Sequence, residues 1–176
     1  VEEISVVYPE ARIVHIIRDG RDAAVSAAHH ARNFGRARET KGEDGLFEPA
    51  QIRKLAADWN ARVGRTVEDG PRLFGDRYAE VRYEDLLARP EPEMTRLLRF
   101  LGAAADEKSV ARCVGAASFE RLSKGRTRGE EDPSSFFRKG VAGEWRDAFT
   151  ERDRRIFDEK AGSLLAELGY GESGIF

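Results

Sequence analysis

The apolar positions of this chain fall into short blocks whose spacing separates strands from helices. Ile13-Val14-His15-Ile16-Ile17 is a β-branched run, apolar except for His15, and predicts a parallel strand covered on both faces. Arg18-Asp19-Gly20 breaks it. From Arg21 to about Arg32 the chain is rich in alanine, with Ala23, Ala24, Ala27, Ala28 and Ala31, and predicts a helix able to lie close on a sheet. Ile52, Leu55, Ala56, Trp59, Val63 and Val67 recur with the 3.6-residue period of an amphipathic helix. Gly70-Pro71 is expected to end it. Tyr78 to Tyr83 alternates in character and predicts a second strand, stopped by Glu84-Asp85. Met94, Leu97, Leu98 and Leu101 form one face of a further helix closed by Gly102, and Ala105 to Cys113 predicts a short one. The last helix has the clearest start. Thr150 caps it with Asp153 three residues on, Ile156, Phe157, Ala161, Leu164, Leu165 and Leu168 form its stripe, and Gly169 stops it.

Between these blocks, Asn33 to Glu48 and Ser123 to Ser135 are polar, glycine-containing stretches that predict mobile surface segments. Val1 to Tyr8 stops at Pro9 and reads as the end of an element whose beginning is missing. Strands interleaved with helices and joined by long connections predict an α/β fold, a parallel sheet flanked by helices. Only about two strands are visible, which is thin for such a sheet and suggests strands missing upstream. No internal repeat or low-complexity tract divides the chain, so residues 1–176 are expected to belong to one domain.

Composition narrows the classes. Lys and Arg total 30 against 32 Asp and Glu, a formal net charge of −2, which gives no support to a domain-wide nucleic-acid binder and leaves room for a local cationic site. Hydrophobic residues at 40% are enough for a core. Apolar stretches are only a few residues long, far short of the roughly 20 that span a bilayer, and no secretory signal pattern is visible. The single cysteine, Cys113, forms no internal disulfide and no metal cluster, so a reducing, cytoplasmic setting is expected.

Two segments carry candidate chemistry. In Arg18-Asp19-Gly20-Arg21-Asp22-Ala23-Ala24-Val25-Ser26 a strand ends, the backbone turns and a helix begins. A helix start favours an anion, Arg18 supplies a fork of donors suited to phosphate, and the Ser26 hydroxyl falls in the second turn. The plainer alternative is a surface arginine and a solvent-facing serine. The second segment is Phe136-Phe137-Arg138-Lys139-Gly140-Val141-Ala142-Gly143-Glu144-Trp145, where two adjacent cations and a glycine can fold over an anion. Its plainer alternative is a solvated loop with Trp145 as a core anchor.

Taken in order, these segments resemble the C-terminal part of the sulfotransferases that use 3′-phosphoadenosine 5′-phosphosulfate (PAPS). The resemblance rests on Arg18 to Ser26 after a strand that begins near Ala11-Arg12, and on Tyr83-Glu84-Asp85-Leu86 leading to a helix ending Phe100-Leu101-Gly102. It rests also on Ala117-Ser118-Phe119, and on Arg138-Lys139-Gly140 with Gly143-Glu144-Trp145-Arg146, and it covers nearly the whole chain. It implies that Arg18 and Ser26 grip the 3′-phosphate of the nucleotide and that Arg138, Lys139 and Gly140 close over the same phosphate. Phe119 would lie beside adenine and Tyr83 would touch the base; for both, a purely structural role stays open.

The resemblance further implies in-line transfer of a sulfuryl group from PAPS to a hydroxyl or amine of a small-molecule or glycan acceptor, with no metal, nucleic acid or membrane involved. In the family a lysine-bearing phosphate loop and a general base precede the strand ending at Arg18. Neither is found here, since His15 lies in the strand and His29 and His30 on the following helix, so both are expected upstream of Val1 and no catalytic residue is assigned within this chain. The family's dimer motif is not retained: Arg146, Thr150, Glu151 and Arg155 occupy its positions, with Glu151 in place of an apolar residue and Arg155 reversing a charge. Thr150 is better explained as a cap. Two other readings stand beside the enzyme: a non-catalytic domain that binds the nucleotide or serves as a scaffold, and a small-molecule kinase, disfavoured because no phosphate loop is present.

Overall fold

The computed structural model describes residues 1–33, 45–132 and 135–171, with the backbone alone at 32 and 33. The chain separates into two compact units, one of residues 1–18 and 65–141 and the other of 19–64 and 142–176.

The first unit is built on two parallel strands, β1 (Ile13–Ile17) and β2 (Tyr78–Arg82), paired in register from Ile13 opposite Tyr78 to Ile17 opposite Arg82. The α/β fold with a parallel sheet flanked by helices is therefore present. Before β1 lies α1 (Glu2–Val7), a six-residue helix with no buried residue. Around β2 are the end of the long α3 (Pro49–Phe74), then α4 (Tyr83–Ala88), α5 (Pro90–Phe100), α6 (Glu107–Ala116) and α7 (Phe119–Leu122). Asp106 caps α6 by accepting from the Ser109 N–H at 3.0 Å.

The second unit joins α2 (Gly20–Asn33) and the first part of α3 to α8 (Trp145–Ala148) and α9 (Glu151–Glu167). Its core is aromatic: Phe157 meets Trp59 and Phe149, and Phe149 meets Phe47 edge-on at 5.4 Å between centroids. Ala24, Val25 and Ala28 are buried on α2, and Ile156, Ala161, Leu164 and Leu165 on α9. Gly20 admits the Trp59 ring, since a Cβ there would stand 2.6 Å from it. The capping box is complete: the Thr150 hydroxyl accepts from the Asp153 N–H and the Asp153 carboxylate accepts from the Thr150 N–H.

Two expectations need correction. Ile16 is 56% exposed, so β1 is not covered on both faces; among the described residues it pairs with β2 alone. The amphipathic helix does not stop at Gly70-Pro71 but runs to Phe74. Packing overrides the local breaker there: a Cβ at Gly70 would lie 2.2 Å from the Tyr78 ring, so the glycine is the place where strand and helix close together. The stretch Ser123 to Ser135 lies mostly at the surface where it is described, with Ser123 at its start buried and donating from its hydroxyl to the Arg126 carbonyl. Residues 34–44 of the expected excursion, and 133–134 of this stretch, lie outside the described residues.

Tyr78 is the polar hub of the sheet. Its hydroxyl lies 2.8 Å from His15 Nδ1, 2.9 Å from Glu80 Oε1 and 3.2 Å from the Thr66 carbonyl. A phenol has one proton, which goes to Glu80 or Thr66, so His15 donates from Nδ1 and is the Nδ1–H tautomer. Burial lowers the His15 pKa, with Glu80 opposing from the register position opposite it.

A histidine whose folded pKa lies below its unfolded value stabilises the fold fully above the unfolded pKa, and that contribution is lost as pH falls. The wild type should therefore lose more stability between pH 7 and pH 5 than His15→Gln, read from urea denaturation midpoints. Equal losses would place the titrating group elsewhere.

Candidate nucleotide-binding site

In-register parallel pairing fixes where the first site residues emerge. Ile17 and Arg82 are opposite one another at the ends of their strands, so the next residues, Arg18 and Tyr83, leave the sheet side by side. The Arg18 guanidinium carbon lies 4.8 Å from the centre of the Tyr83 ring, a cation–π contact that also aims the side chain. Its Nη2 reaches the Val141 carbonyl at 3.5 Å, the outer limit of a hydrogen bond. Val141 directly follows Arg138-Lys139-Gly140. The strand end and the distant cationic segment thus converge within one unit.

That segment is held by a residue the sequence did not single out. The Arg126 guanidinium donates to the carbonyls of Glu130 at 3.1 Å, Arg138 at 2.8 Å and Phe137, and to the Ser135 hydroxyl at 2.9 Å. Backbone bonds from Gly129 to the Lys139 carbonyl and from Asp132 to the Arg138 carbonyl complete the tie. Arg126, one of two arginines between Gly125 and Gly129, carries no sequence signal for this role. Phe119 is buried, with Arg126 over one side of its ring and Gly140 against it. Gly140 has φ +67°, and a Cβ there would meet Phe119 at 2.2 Å, so both backbone and space demand glycine.

Both cations of the segment face one carboxylate. Glu131 Oε1 accepts from Arg138 Nη1 at 2.6 Å, and Oε2 lies 3.2 Å from Lys139 Nζ. The Arg138 hydrogen bond, ahead of that from Lys139, holds the Glu131 carboxyl below its usual range. This carboxylate was also absent from the sequence reading, since it sits in a mixed run of charges.

In the second unit Ser26 lies half-buried on α2. The charges between Arg18 and Ser26 are structural. Asp19 takes the Arg21 side chain bidentately at 3.0 and 2.8 Å, Arg21 donates onward to the Tyr170 carbonyl at 2.6 Å, and its guanidinium lies 3.7 Å from the Trp145 ring centre. Asp22, 1% exposed, accepts from the N–H groups of Gly143 at 2.6 Å and Trp145 at 2.9 Å. Pairing lets Asp19 and Arg21 be buried, and the two backbone N–H groups do the same for Asp22.

A family model for the sulfotransferase domain matches residues 3–169. The chain belongs to the sulfotransferase family. Sulfotransferase 1A1 of Bos taurus is 24% identical over 181 residues, covering 89% of this chain and 56% of that protein. Human sulfotransferase 6B1 is 26% identical over 164 residues, covering 92% of this chain and 53% of its own length. The chain thus spans about half the length of these relatives. Mouse sulfotransferase SULT7A1, solved with PAP (adenosine 3′,5′-bisphosphate), superposes with a TM-score of 0.67 at 21% identity over 95% of this chain and 66% of that one. Retinol dehydratase, solved with androsterone and PAP, gives 0.68 at 24% identity over 88% and 47%. These likenesses show the sulfotransferase fold.

Removing the Asp22 carboxylate leaves one buried and one part-buried N–H group without their acceptor. Asp22→Ala should lower unfolding free energy by about 3 kcal/mol, the scale of two hydrogen bonds to a charged group. Asp22→Asn, which keeps one acceptor oxygen, should lose less. Urea denaturation with unchanged m-values checks both.

Proposed function

We propose that this chain is the 3′-phosphate-binding portion of a single sulfotransferase domain that uses PAPS. The observation that carries the reading is the convergence of Arg18 with the 138–141 segment in one unit of a chain belonging to this family. Arg18, Arg138 and Lys139 supply the charge-assisted donors that a phosphate dianion needs once removed from water. Gly140, with no side chain, lets the backbone approach. Tyr83 and Phe119, the first against Arg18 and the second against Gly140, are the aromatic groups beside the base.

PAPS would supply the activated sulfuryl group, for transfer to a hydroxyl or amine. The residues of this chain bind and orient the nucleotide, and none of those described is assigned to bond-making. The androsterone and retinol bound by retinol dehydratase favour a small-molecule acceptor here. A cytoplasmic location suits this chemistry, and no helix among the described residues is long and apolar enough to cross a membrane.

Calorimetry with PAP and with 5′-AMP tests the phosphate grip. Arg18→Ala and Lys139→Ala should each weaken PAP by about 1–3 kcal/mol, the range for a charged hydrogen bond, while changing 5′-AMP little. Equal losses for both nucleotides would sink the 3′-phosphate assignment.

A further inference from the structure

Resting on the 3′-phosphate reading, we propose that Glu131 is an internal competitor for the phosphate: it occupies Arg138 and Lys139 until the nucleotide displaces it, and so limits affinity for every ligand bearing a 3′-phosphate. The geometry sets the competition. Each carboxylate oxygen faces a different cation, 2.6 Å from Arg138 Nη1 and 3.2 Å from Lys139 Nζ, which are the donors the phosphate would take. The Glu131 side chain is 38% exposed, whereas that of Arg138 is 11% exposed, and the Arg138 and Phe137 carbonyls are held by Arg126. The carboxylate is therefore the partner able to leave, and the guanidinium the partner that stays.

A dianion with three acceptor oxygens outcompetes a monoanion with two, so a 3′-phosphate displaces Glu131. A nucleotide lacking that phosphate does not, and gains nothing from the two cations. Donor and spent nucleotide share the 3′-phosphate, so the competitor weakens both alike and favours release of the spent nucleotide over tight retention.

Glu131→Gln removes the charge and keeps the shape. It should bind PAP about two- to fivefold more tightly than the wild type, the scale of an exposed ion pair, with 5′-AMP affinity unchanged. Carbon-13 spectra of the side-chain carboxyl should show Glu131 titrating below the ordinary carboxylate range in free protein and returning toward it with saturating PAP. Should wild type bind PAP with loss in Lys139→Ala, yet Glu131→Gln bind it equally or more weakly, the competitor role is overturned and the 3′-phosphate reading stands. Should PAP bind no better than 5′-AMP, or Lys139→Ala bind it as wild type does, the reading itself falls and this proposal with it.

Discussion

The pairing of β1 with β2 in parallel register is the constraint on which the first unit depends. Parallel strands send their C-terminal ends to the same edge, and register decides which residues meet there. A slip by one residue would turn alternate side chains to the opposite face and part Arg18 from Tyr83. The register is secured from the strand starts, where Tyr78 ties His15, Glu80 and the α3 backbone together. Gly70 lets that ring lie against the helix. A polar hub at one end of the strands thus holds the arginine at the other.

The arginines serve two different purposes, and burial separates them. Arg21 and Asp19 have side chains only 7% and 8% exposed, with a fixed bidentate pair and a carbonyl beyond it. Breaking such a pair strands a charge in a low dielectric, so it holds structure and does not exchange. Arg138 and Lys139 share a carboxylate that is partly in water, where the cost of exchanging one anion for another is small. One chain therefore uses the same ion-pair chemistry as a permanent fastening and as an exchangeable one.

Periodicity made much of the fold legible. β1, β2, α2, α5 and α9 follow from spacing and caps, and the Thr150–Asp153 box was readable because both members lie in one local motif. What failed was local inference where distant packing decides. Gly70-Pro71 is a breaker by composition and helical in fact, because Tyr78, eight positions on, requires the glycine. At the candidate site the sequence pointed to Arg18 and the 138–140 segment, whose spacing is that of the family. It was silent on Arg126, Glu131 and Asp22, whose roles exist only once backbone groups far along the chain are brought to them.

Arg126 fixes the course of its neighbours through their backbone oxygens and a single hydroxyl, and carbonyls are common to every residue type. A turn anchored in this way is largely indifferent to which side chains decorate it. The outward-facing positions nearby can then change without moving the main chain. Variety in the side chains that face outward and constancy in the main chain beneath them can be housed within a few residues of each other.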